Sequence, residues 1–347
     1  MPKKKDFLVG WGRILLGHAP LLSIEITREC PLHCPGCYAY GDEHLGGQVT
    51  LRQLSDLTGD DLVRGVIELV KKHRPLQVSL VGGEPLVRRR ELDRILPELS
   101  RMGIFTLVVT SAVAPLPARW NQLPRVRIAV SIDGLREEHD QRRHPATYDR
   151  ILKNIEGRRV DVSWVITRQQ MRRPGYLDAY LAFWTARPEV DWIWFSTYTP
   201  QLGEQSEEML TLEDRRELAR LLPELKRKYP ALRLIAGMEE AMLAPPPNPE
   251  ACFFSKLSVN YSADLRTRIE PCFFGGNPDC SQCGCAISAN LHWIGKKRLA
   301  GPVTINQVMK ASVAIGSLVN RLRPNTPEGV RWSHARRPRP SGLVQIE

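Results

Sequence analysis

Cys30, Cys34 and Cys37 stand in the pattern C-x3-C-x2-C directly after an apolar run, Leu21 to Thr27. Thiols at that spacing suit a 4Fe-4S cluster: each thiolate holds one iron, and the fourth iron keeps an open position for an exogenous ligand. The run before them leaves no room for a helical period ahead of Pro31 and reads as a strand. The cysteines therefore sit on a loop leaving the C-terminal end of that strand, where barrel enzymes collect their chemistry. A closed zinc site is the competing assignment, and it needs a fourth donor, for which His33 is the nearest candidate.

The remaining cysteines, Cys252, Cys272, Cys280, Cys283 and Cys285, are confined to one late segment, so the eight thiols fall into two groups with none left over. Disulfide-rich secreted chains scatter cysteines behind a signal peptide. Here Met1 is followed by Pro2-Lys3-Lys4-Lys5 and no apolar stretch of signal length, which points to a reducing, cytoplasmic setting.

A second motif, Gly82-Gly83-Glu84-Pro85, ends the strand-like run Val78 to Val81. Together, the cysteine loop and this turn resemble the radical S-adenosylmethionine (SAM) enzymes. The resemblance implies that the GGEP turn (Gly82, Gly83, Glu84, Pro85) binds the methionine amino group of SAM, with glycines that let the backbone approach the ligand. It also reaches Val130-Ser131-Ile132-Asp133-Gly134 and the stretch Glu138 to Arg143. There Ser131, Asp133 and Arg143 correspond to polar groups meeting the SAM ribose and carboxylate, Arg143 by bidentate pairing. Family members usually carry an aromatic residue before the third cysteine, to stack on adenine. Here that position is Gly36, with Tyr38, or Tyr40, as the substitute. The late cysteines resemble the extension called twitch or SPASM, in which thiols bracketing a hairpin and a later C-x2-C, here Cys280 to Cys283, hold an auxiliary 4Fe-4S cluster. A fifth thiol is one more than such a cluster needs, which leaves the ligand set open, and four thiolates also suit zinc.

Strand-like runs at 21–27, 76–81, 105–110, 126–132, 160–167 and 190–196 alternate with helical patterns at 60–72, 90–101, 147–155 and 175–186. That alternation predicts right-handed crossovers and a parallel sheet. The expected fold is α/β: a partial (β/α)6 TIM-like barrel over 21–244, with a small cysteine-rich extension over 250–300. Pro245 to Pro249 forms the boundary. Before it come a charged helix, Leu212 to Lys228, and a strand, Leu232 to Ile235; beyond it, 256–261 and 266–270 read as a hairpin.

The chain carries a net charge of +11, concentrated toward both ends. Residues 1–20 form a basic, amphipathic segment with Phe7, Leu8, Val9, Trp11 and Ile14 to Leu16. In 301–347, Ile305, Val308, Met309, Ile315, Leu318, Val319 and Leu322 recur at helical spacing before an extended or disordered Pro/Arg-rich tail that begins at Pro324. Both amphipathic elements either cover the barrel or lie peripherally on an anionic membrane. The latter, with no run long enough to span a bilayer, favours a small or lipid-like substrate. The resemblance implies reductive SAM cleavage to a 5′-deoxyadenosyl radical that takes hydrogen from that substrate. An auxiliary cluster assists, and an electron donor such as flavodoxin or ferredoxin supplies the electron. The same chemistry on a ribosomally made peptide is the alternative. A non-catalytic, metal-binding RNA partner is the reading from another class, although a tail with few aromatics does not favour nucleic acid.

Overall fold

The computed structural model describes residues 4–41, 44, 45 and 54–322. The Arg-rich tail expected from Pro324 onward lies outside the described residues. The chain opens with α1 (Lys4–Leu15) and β1 (Leu21–Glu25), then alternates α2 (Gly59–His73), β2 (Gln77–Val81), α3 (Arg89–Arg101), β3 (Phe105–Thr110) and β4 (Val126–Ser131). It continues through α4 (Arg136–Arg142), α5 (Tyr148–Ile155), β5 (Val160–Ile166), α6 (Arg168–Met171), α7 (Tyr176–Thr185) and β6 (Val190–Thr197). After α8 (Leu212–Lys228) come α9 (Met238–Leu243), α10 (Phe253–Leu257), β7 (Ser258–Tyr261), α11 (Ala286–Lys296), the β8 (Arg298–Ala300) and β9 (Val303–Thr304) pair, and α12 (Ile305–Leu322).

Seven strands form one sheet in the order β6-β5-β4-β3-β2-β1-β7. Every pairing in it is parallel. The six strands read from the sequence are present within two residues of their expected ends. The seventh is a correction: residues 258–261, expected as one arm of a separate hairpin, join the barrel sheet beside β1 in the register Leu21↔Ser258 to Ile24↔Tyr261. The other arm is reduced to a bridge between Tyr261 and Arg268, and the strand expected at 232–235 to a bridge between Ile193 and Leu232. A strand beside β1 gains its hydrogen bonds from an edge the barrel already offers, which an isolated two-stranded hairpin cannot match.

Alternation along each strand sorts the side chains. Leu22, Ile24, Val78, Leu80, Val108, Val130, Val162 and Phe195 point outward into one core with Leu62, Val66 and Leu69 of α2 and Leu92, Ile95 and Leu99 of α3. The opposite face of the sheet mixes buried, half-buried and exposed positions and carries Ser23, Ser79, Ser131, Ser163 and Ser196, all half-buried. The barrel lumen is therefore lined by a mixture of small hydroxyl and apolar side chains, Leu107, Val109 and Val165 among the latter, whereas the packed core lies outside it. Helix ends follow the usual chemistry: in α8 the Thr211 hydroxyl accepts from the Asp214 N–H at 3.1 Å, and Asp214 accepts from the Thr211 N–H at 2.8 Å.

Candidate functional site

Cys30, Cys34 and Cys37 lie half-buried on the loop leaving β1, and all eight thiols are free. The loop is clamped just before Cys30. The Thr27 hydroxyl and the Arg28 N–H each donate to Asp56 at 2.7 Å. The Arg28 guanidinium, which donates to Asp56 at 2.7 Å, together with these bonds outweighs burial and holds the Asp56 carboxyl below its ordinary value. Gly83 N–H donates to Thr27 O at 2.7 Å, and Glu84 N–H to Glu29 O at 2.8 Å. A Cβ on Gly82 would stand 2.4 Å from Thr27 O, and one on Gly83 would stand 2.4 Å from Glu29 O. The two glycines thus admit the chain segment that carries Cys30, where the expectation had them admitting a ligand.

Glu84 also differs from its expected use. Its side chain is fully buried and accepts from Leu86 N–H at 2.9 Å, from Ser111 N–H at 2.7 Å and from the Thr110 hydroxyl. Burial raises its pKa in spite of those bonds. The carboxyl is consumed in pinning the GGEP turn, with buried Pro85, to the end of β3. Asp133, likewise buried, is gripped by Arg142 and Arg143, the latter at 2.8 Å. Burial alone would raise its pKa, but the two guanidinium groups drive it well below the carboxylate range. Asp133 therefore positions the arginines. Arg142 is occupied further by a bidentate pair with Glu208, at 2.7 and 2.9 Å, and Arg143 reaches the Ser111 hydroxyl at 3.1 Å.

Arg143 stands within electrostatic reach of Cys34 and opposes the rise that burial imposes on that thiol. Its loop is tied to the cysteine loop by the His33 N–H donating to His144 O at 2.7 Å. His33, the zinc candidate, turns its side chain to solvent. Burial pushes Cys30 to about 11, although the Leu32 N–H works the other way. A thiol so raised binds metal with proton release, as cluster ligands do. Ser131 faces the lumen beside Ser163.

Tyr38 and Gly36 depart from the adenine-stacking expectation. Gly36 has a φ of +65°, which favours glycine, and a Cβ there would come to 3.2 Å from the Tyr198 hydroxyl, a tight contact. The Tyr38 ring packs on His44, Phe273 and Phe274 with centroids 5.6 to 5.8 Å away. It faces the late cysteine segment. Tyr40 donates to Arg28 O.

The five late thiols line one cavity together with Thr199 and Ser288, which holds about 370 Å³ of empty space including its mouth. Cys252 lies 3.3 Å from the Ser288 hydroxyl. Burial raises Cys272, Cys283 and Cys285, and brings Cys280 to about 12. Buried Arg215, which sequence reasoning missed, donates to Gln282 O at 2.5 Å and to Met242 O at 3.2 Å, fixing the Cys280 to Cys283 turn. Among the described residues no three His, Cys, Asp or Glu side chains converge on the point a single metal ion would take. The late thiols are instead spread around a cavity, an arrangement that suits a multi-iron cluster.

A further missed feature joins the two cysteine groups. Glu25, buried at the end of β1, accepts from Ser262 at 3.0 Å and meets His44 Nε2 at 2.8 Å, while His44 Nδ1 lies 2.8 Å from Phe274 O. Both imidazole nitrogens face oxygen, and the Glu25 interaction outweighs burial to raise the His44 pKa. A glutamate inside an apolar strand run was the available signal.

An open parallel barrel with cysteines on its first loop and a second thiol-lined cavity beside β1 defines an iron-sulfur α/β partial-barrel protein. The family model that matches it is the Radical SAM superfamily, over residues 24–165. That region is a radical SAM domain, a family built on a 4Fe-4S cluster and SAM. The chain is 31% identical over 121 residues to a PqqA peptide cyclase of Rhizobium meliloti, covering 34% of this chain and 30% of that protein. It is 32% identical over 106 residues to a 7-carboxy-7-deazaguanine synthase of Hyperthermus butylicus, covering 29% and 39%. The chain therefore spans well under half the length of these relatives. Its fold is shared with native anSMEcpe with bound AdoMet (TM-score 0.54, 17% identity, 73% of this chain and 75% of that one). It is shared also with SuiB of Streptococcus suis bound to precursor peptide SuiA (TM-score 0.53, 16% identity, 75% and 61%).

Proposed function

We propose that this chain is a radical SAM enzyme acting on a ribosomally made peptide, with Cys30, Cys34 and Cys37 holding the catalytic cluster. The mixed lumen, with hydrogen-bonding groups on five of its strands, carries the reading. Serines from five strands, set among Leu107, Val109 and Val165 on the same face, give hydrogen-bonding groups to a peptide backbone and contact for its apolar side chains. The relatives' names agree with it, since a PqqA peptide cyclase and a SuiB bound to its precursor peptide both concern peptides. The small or lipid-like metabolite expected from the chain ends has less support. A small polar metabolite is the second reading, favoured by the match to the 7-carboxy-7-deazaguanine synthase.

Cys30, Cys34 and Cys37 would hold a 4Fe-4S cluster with SAM at its open iron, and that pair would supply reductive cleavage of SAM for hydrogen abstraction from the substrate. The chain's own residues orient and shield. Arg143, held by Asp133, offers a guanidinium beside Cys34 for the SAM carboxylate. The GGEP turn, pinned by Glu84, offers backbone carbonyls for the amino group, and Ser131 offers a lumen hydroxyl. Four of the five late thiols hold an auxiliary 4Fe-4S cluster, and a flavodoxin or ferredoxin provides the electron. The test is 5′-deoxyadenosine release by anaerobically reconstituted, reduced protein. A rise above background with short precursor-like peptides, and none with a total lipid extract, is expected. A rise with lipid alone would overturn the peptide reading, and no cleavage by protein with full iron content would overturn the enzyme.

A further inference from the structure

Helices α1 and α12 pack side by side. Trp11 donates to the Ser312 hydroxyl at 3.1 Å. A Cβ on Gly316 would stand 1.9 Å from Ile14 O, and one on Gly17 would stand 3.0 Å from the Asn320 Cβ. These pairs advance together along both segments, so the helices run in the same direction, and the glycines let their backbones nearly touch. Their inner sides are used in a small core of Ile14, Val313, Phe253 and Leu257, with Met309 against it. The stripe read from the sequence is therefore split: Met309 turns inward, whereas Ile315, Leu318 and Leu322 turn out.

The outer sides are apolar as well. Leu8 is 74% exposed, Leu318 57% and Leu322 73%, with Val9, Leu16 and Ile315 about half exposed. At 100° per residue, Leu8, Val9 and Leu16 lie opposite Ile14, and Ile315, Leu318 and Leu322 lie opposite Val313. A helix apolar on both sides is normally buried on both sides. Here one side faces water, and among the described residues eight exposed large apolar side chains fall in α1, α12 and the adjoining β8 and β9, with Leu16 just beyond α1 as a ninth.

The charges nearby are predominantly basic. No acidic residue occurs between Asp279 and Glu328, a stretch that contains Lys296, Lys297, Arg298, Lys310, Arg321 and Arg323. In sequence, Lys3, Lys4, Lys5 and Arg13 outnumber the one acid of the same stretch, Asp6, which is buried and paired with Arg125 at 3.5 Å. We propose that the paired outer faces of α1 and α12 form a docking surface for an anionic lipid bilayer, lying in the headgroup plane with the apolar side chains inserted and the basic groups at the phosphates. No helix among the described residues is long and apolar enough to cross a membrane, so the contact is peripheral. A second copy of the chain would set Lys310 and Arg321 against like charge. The chain beyond residue 322, with Arg331, Arg336, Arg337 and Arg339, would do the same. An anionic bilayer alone complements both the apolar face and its rim, independently of what the barrel transforms.

The test is co-sedimentation of the full-length, cluster-loaded protein with vesicles of phosphatidylcholine alone or mixed with phosphatidylglycerol. Binding to the mixed vesicles, weakened by salt and nearly absent with phosphatidylcholine, is expected. The double variant Leu8→Glu/Leu318→Glu should reduce it at least about tenfold, with unchanged circular dichroism and iron content. Absence of binding overturns the proposal, as does binding that the double variant retains, since basic segments alone would then account for it. A dimer that fails to bind vesicles and is split by the double variant would overturn it in favour of a second copy.

Discussion

The two cysteine groups are built on opposite plans. Cys30, Cys34 and Cys37 sit on an exposed loop whose position is set from outside, by Asp56, Gly83 and Glu84, with a guanidinium beside Cys34. The late thiols line a recess, Cys252 and Cys285 are buried, and Arg215 holds their turn from within. Three thiols on an accessible loop leave a coordination position and a nearby cation for an exchangeable anionic ligand. A recess with more thiols than four irons need retains what it binds. The comparison teaches that one site is shaped for turnover and the other for retention, although Tyr38 and the Glu25–His44 pair make them neighbours.

The strongest test of this contrast is removal of one thiol from each group. Cys34→Ala should abolish 5′-deoxyadenosine formation, while Cys283→Ala should retain SAM cleavage and lose product, both read by chromatography of anaerobic reactions. Cleavage surviving in Cys34→Ala would break the comparison at its root. Next in size is Arg143. Losing a charge-assisted, bidentate partner costs about 1.5–3 kcal/mol, so Arg143→Ala should weaken SAM binding by about 10- to 100-fold, measured by calorimetry on protein of unchanged iron content. Arg143→Lys should recover only part, because a point charge cannot pair in two places. An unaltered affinity in Arg143→Ala would remove the cation from the exchangeable site.

Much of the first site was legible in the sequence because its spacing is local. C-x3-C-x2-C and Gly-Gly-Glu-Pro each lie within a few residues, and the strand before each alternates clearly. The roles of Glu84, Asp133 and Gly83 were not legible. Glu84 and Gly83 are settled by partners far along the chain, Ser111 and Glu29, and Asp133 by two arginines nine and ten residues on, and a motif names residues without saying which way their atoms point. The seventh strand was expected over 256–261 but as a hairpin arm, and its place was missed for the same reason: only the free edge of β1 decides that Ser258 to Tyr261 pairs there. Tyr38 was expected at a ligand because it adjoins Cys37, yet Phe273 and Phe274, more than two hundred residues away, claim its ring.

The Glu25–His44 link sharpens the comparison further. Breaking a buried pair by deleting one partner costs about 3–5 kcal/mol, so His44→Leu should lower the unfolding midpoint. It should also loosen iron retention by the late thiols while leaving that of the first loop nearly intact. Selective depletion can be read by stepwise iron release to a chelator. Equal loss from both groups would show that the link is only global stability.

The smallest expected effect is a difference in pH response between the two sides. On the first side, burial and then Arg143 push His139 down to about 4, where its Nδ1 accepts from the Asp133 N–H at 3.2 Å. The unfolded chain binds that proton first, at about 6.5, so stability is full above about pH 6.5 and is lost as pH falls toward 4, by at most roughly 3 kcal/mol. On the other side the His44 pKa is raised. Its contribution is full below about pH 6.5 and is lost as pH rises through the higher folded value. Hydrogen exchange followed by mass spectrometry should therefore accelerate in residues 133–147 on mild acidification and in residues 272–276 on mild alkalinisation. If both segments loosened in the same direction, the two histidines could not be in the opposite protonation states that their partners require.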